Sequence, residues 1–307
     1  MGVQVGMDQF AGLTERYEKE GWLIKESELT FGKVLGRGAS GITYNGEYKG
    51  KKVAIKAYSV AILRNDADAV KNEMSLMATL RHPNIVGFCG LCLSREPLAA
   101  ALVTDYASNG ELGDALYVKN LFKKRGAEMR FDVAIGLAEG LKYLAENNIV
   151  HRDIKPANVL LGDDFSPLLT DFGFSRLADS SGNMTGETGS YKYMAPEVTK
   201  HTKYSVKADV YSYAILINEI FCEERPFESL LPIQAAVAVV KKGQRPSQKK
   251  LGDEELKKLI QECWQDDPDR RPQWSLIIDT LKQRKAVALE KGDGKAKNKN
   301  IMSKLGF

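Results

Sequence analysis

Three glycines, Gly36, Gly38 and Gly41 in the stretch LGRGASGITYNG, follow the spacing G-x-G-x-x-G. Such spacing lets a backbone approach a phosphate without obstruction by a Cβ. It serves dinucleotide-binding turns, other phosphate loops and ordinary turns alike, so the neighbouring residues must arbitrate. A dinucleotide site needs the glycines to open a helix, whose free N–H groups and positive end receive the pyrophosphate. The chain continues instead as ITYNGEYKGKKVAIKAY, with β-branched and aromatic residues alternating with polar ones on both sides of KGKK. That pattern predicts strand, turn, strand. The glycines form the corner of a β-hairpin, and Lys56, ending VAIK, can reach back beneath it as a fixed positive charge.

Two helices are expected to place the other reactive side chains. In RNDADAVKNEMSLMATLRHP, Asn65 or Asp66 can cap a helix, Val70, Met74 and Met77 repeat at helical spacing, and Pro83 stops the run. Glu73 lies on that helix. FDVAIGLAEGLKYLAENN puts Phe131, Ala134, Ala138, Leu141 and Ala145 on one stripe and ends at an Asn-Asn pair. It delivers the chain to HRDIKPANVLL, after which a short apolar strand runs into Asp171-Phe172-Gly173.

Composition bounds the rest. A chain of 307 residues can bury a large core and form two lobes or domains. With 44 basic against 40 acidic residues, it gives no electrostatic reason to expect nucleic acid as a partner. No apolar run approaches a membrane span; PLAAALV and IQAAVAVV suit a buried strand or helix segment. Gly2 is followed by Gly6 where a myristoylation signal needs Ser or Thr, and no signal-peptide core comes after it, so the expected setting is cytoplasmic. Cys89, Cys92, Cys222 and Cys263 are too few for a disulfide scaffold. The lone C-x-x-C of FCGLC lacks the second pair that zinc needs, and His82, His151 and His201 are too widely spaced for a histidine metal cluster.

From the hairpin onward the sequence resembles a eukaryotic protein kinase. HRDIKPAN matches H-R-D-x-x-x-x-N at His151, Arg152, Asp153 and Asn158, and Asp171-Phe172-Gly173 comes 18 residues after Asp153. The resemblance covers residues 28 to about 284 and implies an α+β, bilobal fold: an N-lobe over 28–104, a hinge at 105–107 and a mainly helical C-lobe over 108–284. It implies ATP and Mg²⁺ as cofactors, with Mn²⁺ a possible substitute. Lys56 is then the phosphate lysine and Glu73 its partner, Asp153 the base for the substrate hydroxyl, Lys155 the residue steadying the migrating phosphate, and Asn158 and Asp171 the metal ligands. Leu35, Gly36, Arg37, Gly38, Ala39, Ser40, Gly41, Ile42, Thr43, Ala54, Thr104, Asp105, Ala107 and Leu160 correspond to the family's nucleotide-contacting positions. Among them Thr104 is the gatekeeper, and the backbone from Asp105 to Ala107 faces adenine.

YMAPE closes the activation segment, Asp209 begins the buried C-lobe helix, and Arg271 is expected to pair with Glu197. Met77, Phe88, His151 and Phe172 fall where such kinases stack a column of apolar side chains between the lobes. Lys155 and Ser190 resemble serine/threonine rather than tyrosine kinases. ELTFGKVLGRGASG, GSYKYMAPE and ECWQDDPDRRP look most like the tyrosine-kinase-like serine/threonine group, Raf-like and mixed-lineage kinases included, and dual specificity stays open. Thr43 stands where the family usually has valine, and Ala214 where it usually has glycine. The complete set of Lys56, Glu73, Asp153, Asn158 and Asp171 argues against a catalytically silent scaffold.

The polar, hydroxyl-rich stretch between Gly173 and Ala195 is expected to be ordered by phosphorylation at Ser180, Ser181, Thr185 or Thr188, with Arg152 as the partner of the phosphate. That implies an upstream kinase besides the protein substrate. Residues 1–27 read as an N-terminal extension with a short helix packing through Trp22, and 285–307 as a basic, solvated, disordered tail. The chain is either a whole small kinase or one domain of a longer protein, its oligomeric state unspecified.

Overall fold

The glycine corner forms as predicted. In the computed structural model, residues 15, 17–38, 41–93, 98–177 and 190–304 are described, with 98–99, 176–177 and 292–304 as backbone alone. β1 (Leu29–Gly38) and β2 (Gly41–Tyr48) pair antiparallel, with Gly38 opposite Gly41; Ala39 and Ser40 lie outside the described residues. β2 turns into β3 (Lys51–Ser59) through Lys49 and Gly50, with φ of 49° and 75°. Two successive left-handed residues match the right-handed twist of a hairpin.

β3 leads into α1 (Val60–Thr79), followed by β4 (Phe88–Leu93) and β5 (Leu98–Asp105). The sheet has the order β1-β2-β3-β5-β4. Alternation along β3 sends Val53 and Ile55 into a core with Ile24, Leu29, Cys92, Ala101 and Val103, and leaves Ala54, Lys56 and Tyr58 on the opposite face. α1 starts earlier than predicted. Ser59 Oγ accepts from Ile62 N at 3.3 Å, and the expected cap region holds a kink at Asp66 (φ −145°, ψ 37°) instead. A short polar side chain suits that break, because it competes for backbone hydrogen bonds. Val70, Met74 and Met77 are buried as the spacing required.

The N-terminal segment packs on the same unit. Ile24 N donates to Leu91 O and Leu91 N to Trp22 O, at 2.7 and 2.8 Å, which ties the segment to β4. Trp22 stands edge-on to Phe88, and Tyr17 Oη lies 3.2 Å from Ser75 Oγ on α1. The described residues of 1–108 with 168–175 form this compact unit; those of 109–167 and 176–307 form a second.

The second unit is mainly helical. β6 (Gly110–Glu111), α2 (Leu112–Tyr117), α3 (Leu121–Glu146), β7 (Ile149–Val150) and β8 (Val159–Leu161) come first. β9 (Pro167–Leu169) belongs mostly to the first unit, and β10 (Arg176–Leu177), α4 (Pro196–Thr199), α5 (Lys207–Cys222), α6 (Pro232–Lys242), α7 (Glu254–Cys263) and α8 (Trp274–Lys304) complete the second. β6 pairs with β8, and β10 with β7. α5 is buried from Ala208 to Ile220, which accounts for its almost unbroken apolar sequence. α8 corrects one expectation. The region from 285, read as a disordered tail, continues this helix, and Lys285 meets Glu128 and Asp132 on α3. A lysine assigned to solvent thus faces carboxylates of a neighbouring helix.

Candidate active site

In the first unit the site centres on Lys56. Its ammonium donates to Glu73 Oε1 at 2.7 Å, to Glu73 Oε2 at 3.0 Å and to Asp171 Oδ1 at 3.0 Å. Burial pulls the Lys56 pKa down, but the two carboxylates outweigh it and hold the ammonium well above its ordinary value. Asp171 adopts φ 63°, a left-handed backbone that costs a residue other than glycine about 1–3 kcal/mol. Thr43 stands opposite Lys56, and Ala54 opposite Thr104, on adjacent strands. Gly41 is required by packing: a Cβ there would lie 2.5 Å from Ala57 O, at φ 146°. At Gly36 and Gly38 an added Cβ would meet nothing within 4 Å among the described residues. Leu35, Arg37 and Gly38 are exposed at the tip, and Ile42 is half-buried.

At the end of β5, the Asp105 N–H is donated to Gly87 O at 2.8 Å. Among the expected hinge groups the Asp105 N–H is therefore already engaged, and Ala107 is buried. Cys89 Sγ lies 3.5 Å from Asp105 Oδ1, and burial together with that carboxylate pushes its thiol up to about 12. All four cysteines are free, and no three His, Cys, Asp or Glu side chains gather as a metal site among the described residues.

In the second unit the chain leaves β7 into the loop carrying Asp153. Asp209, at the start of α5, accepts from His151 N at 2.7 Å and Arg152 N at 3.0 Å, fixing Arg152 at φ 72°. Asp153 is surrounded by donors. Ser190 Oγ donates to its Oδ1 at 2.5 Å, Lys155 Nζ sits 2.7 Å from its Oδ2, and Asn158 Nδ2 donates to its Oδ2 at 2.7 Å and its carbonyl at 2.8 Å. Lys155 Nζ also donates to Ser190 Oγ at 3.3 Å. Leu160 on β8 is half-buried. The expected Arg271–Glu197 pair is present as two hydrogen bonds of 2.6 and 2.8 Å, with Arg271 only 2% exposed. Of the apolar-column residues, Met77, His151 and Phe172 are buried and Phe88 is half-buried. Ala214 is fully buried. Ser180, Ser181, Thr185 and Thr188 lie outside the described residues.

Several positioning contacts had no motif to announce them. Tyr58 Oη donates to Glu73 Oε2 at 2.9 Å, and Asn72 Nδ2 to Ser175 O at 2.5 Å. Glu219 on α5 accepts from Tyr117 Oη at 2.6 Å and Tyr193 Oη at 2.7 Å. Burial pushes the Glu219 carboxyl up to about 7 against the pull of both hydroxyls, Arg225 and Lys192. The polar residues buried within apolar α5 were the available sign of that cluster.

Comparison with known proteins agrees with this geometry. A family model described as protein tyrosine and serine/threonine kinase matches residues 29–281. The serine/threonine-protein kinase STY46 of Arabidopsis thaliana is 38% identical over 279 residues, which is 90% of this chain and 48% of the relative. STY17 of the same plant is 39% identical over 266 residues, 85% of this chain and 45% of the relative. The serine/threonine/tyrosine-protein kinase HT1, also from that plant, is 34% identical over 271 residues, 87% of this chain and 69% of the relative. The chain thus spans about half the length of STY46 and STY17. No helix among the described residues is long and apolar enough to cross a membrane. The match runs through the glycine corner, Lys56, Glu73, Asp153, Asn158 and Asp171, and the chain belongs to the protein kinase family.

Proposed function

We propose that the protein transfers the γ-phosphoryl group of Mg-ATP to serine and threonine hydroxyls of protein substrates. The observation that carries the reading is the pair of tied carboxylates: Asp171 held by Lys56, and Asp153 held by Lys155, Asn158 and Ser190. Phosphoryl transfer has a loose transition state, so the protein's task is to position reactants and spread charge. Asp153 accepts the substrate hydroxyl proton on its carboxylate, and its donors fix the orientation of both oxygens. Lys56, kept charged by Glu73, grips phosphate oxygens.

The donor set fits a hard cation: the Asp171 carboxylate and the Asn158 amide oxygen would hold Mg²⁺, or Mn²⁺ in its place. When bound, the metal neutralises charge on the phosphates. The open space where a Cβ would stand at Gly36 and Gly38 supports close approach of a phosphate, since packing within the chain does not demand glycine there. Lys155 bridging Asp153 and Ser190 supports serine/threonine acceptors, and the name of HT1 keeps tyrosine as the second reading. The same proposal includes a cytoplasmic signalling role, an upstream kinase acting on Ser180, Ser181, Thr185 or Thr188, and Arg152 receiving the phosphate.

The test is transfer of labelled γ-phosphate to a generic protein substrate by wild type and Asp153→Asn, followed by phosphoamino-acid analysis. The expected result is label on serine and threonine, falling at least about 100-fold in the variant. Label on tyrosine alone would overturn the acceptor class. No transfer by protein phosphorylated in its activation segment would overturn the activity in favour of a nucleotide-binding scaffold.

A further inference from the structure

Lys56 and Tyr58 are two residues apart on β3, so both side chains leave the same face of the sheet, about 7 Å apart along the strand. Both end on one carboxylate. Glu73 accepts from Lys56 on Oε1 (2.7 Å) and Oε2 (3.0 Å), and from the Tyr58 hydroxyl on Oε2 (2.9 Å). Tyr58 is completely buried and Glu73 is 3% exposed. A buried phenol needs a partner for its O–H, and a buried carboxylate needs donors for both oxygens. With Lys56 alone the carboxylate could turn about its last bond and exchange oxygens. The Tyr58 bond occupies Oε2 and leaves Oε1 as the closer partner of the ammonium. Lys56 Nζ also stands 5.6 Å from the centre of the Tyr58 ring, and Gly173 leaves open the space beside Glu73 Oε2.

We propose that Tyr58 is a positioning residue for phosphoryl transfer, fixing the Glu73 carboxylate, and through it the Lys56 ammonium, by its hydroxyl. The proposal rests on the reading of the protein as an active kinase. It assigns to this β3 side chain a share of the task that the Lys56–Glu73 pair alone would otherwise perform. The contact also anchors α1 to the sheet at a point past the kink at Asp66, where the helix has no backbone bond to β3.

The test is a double-mutant cycle of Tyr58→Phe and Glu73→Leu, in which phenylalanine keeps the ring and removes only the hydroxyl. kcat and KM for ATP are measured on all four proteins, together with hydrogen exchange of residues 70–77. Tyr58→Phe is expected to lower kcat/KM for ATP about tenfold, as for a hydrogen bond to a charged group. In the Glu73→Leu background the same change should cost less than twofold, and exchange over 70–77 should quicken in the single variant. Equal losses in both backgrounds would overturn the proposal, because the tyrosine would then act through packing. A loss below twofold in the wild-type background would overturn it too, while leaving the kinase reading intact. Were the wild type to transfer no phosphate, the kinase reading would fail by itself and exchange would decide, unchanged protection in Tyr58→Phe refuting the clamp.

Discussion

Replacing Glu219 by glutamine should change how stability depends on pH more than it changes stability itself. The carboxyl is 1% exposed on α5, and burial moves it from 4.5 to about 7 despite the hydroxyls of Tyr117 and Tyr193 and the positive charges of Arg225 and Lys192. The folded protein therefore binds this proton more tightly than the unfolded chain. Its stabilising effect is complete below pH 4.5 and is lost as pH rises through 7. The difference corresponds to about 3 kcal/mol, of which about 2.5 kcal/mol falls between pH 5 and pH 8. Glutamine keeps the shape and an acceptor oxygen but carries no charge at either pH. Urea unfolding of wild type and Glu219→Gln, followed by the fluorescence of Trp264 and Trp274, should show similar stability at pH 5. At pH 8 the variant should have gained about 2.5 kcal/mol relative to wild type. A gap constant to within about 0.5 kcal/mol over that range would refute the reasoning. It would mean that the two tyrosines and nearby cations keep the carboxylate ionised at low cost.

Arg271→Met leaves Glu197 buried without its two hydrogen bonds and frees the carbonyls of Lys207 and Gln265. Thermal unfolding should show a loss of about 3–5 kcal/mol, part of it recovered by adding Glu197→Leu, because an uncompensated buried charge costs more than an apolar pair. Gly46→Ala puts a methyl 2.5 Å from Thr30 O and from Ile55 Cδ1. The strand must shift against backbone, and urea unfolding should report about 1–3 kcal/mol of destabilisation. Asp209→Asn keeps one acceptor oxygen for two backbone donors; transfer assays should show kcat reduced about tenfold with nucleotide affinity unchanged.

Much of the first unit was legible because its signals are local. The β-hairpin arises from alternation on both sides of KGKK, and the burial of Val70, Met74 and Met77 from helical spacing. The start of α1 was misplaced because Ser59, its true cap, also ends a strand, and the Asn65–Asp66 pair marks a kink with the same side-chain chemistry as a cap. Two of the pairs expected from motifs are present as hydrogen bonds, Lys56 with Glu73 and Arg271 with Glu197. Periodicity could not supply the partner of a buried polar group when that partner is far along the chain. Tyr117 and Tyr193 are 102 and 26 residues from Glu219, and each looks like an ordinary amphipathic aromatic until the fold brings its hydroxyl to the carboxylate. The helical course beyond 284 was missed for the complementary reason: the acidic residues that meet Lys285 sit on a helix about 150 residues earlier.

Each unit supports its strained residue in its own way. Arg152, next to Asp153, is strained at φ 72°, and its anchor Asp209 is 3% exposed at the head of a helix buried over nearly its whole length. Burial pushes the Asp209 carboxyl up, so placing it there is unfavourable in itself. The cost is offset by two backbone N–H bonds, and the surrounding apolar helix leaves the anchor nowhere to move. The apolar burial of α5 thus supports the strained loop as well as the core, since such a loop persists only where its surroundings over-determine it. Asp171, strained at φ 63°, has a different kind of support. Its carboxylate is bound by Lys56, which is held by Glu73 on α1, a helix broken at Asp66 that buries Val70, Met74 and Met77 and also makes hydrogen bonds at Glu73, Asn72 and Ser75. Hydrogen bonds of net worth about 1 kcal/mol each fix the polar groups there, and the packed apolar face of α1 keeps the helix that carries Glu73 in place.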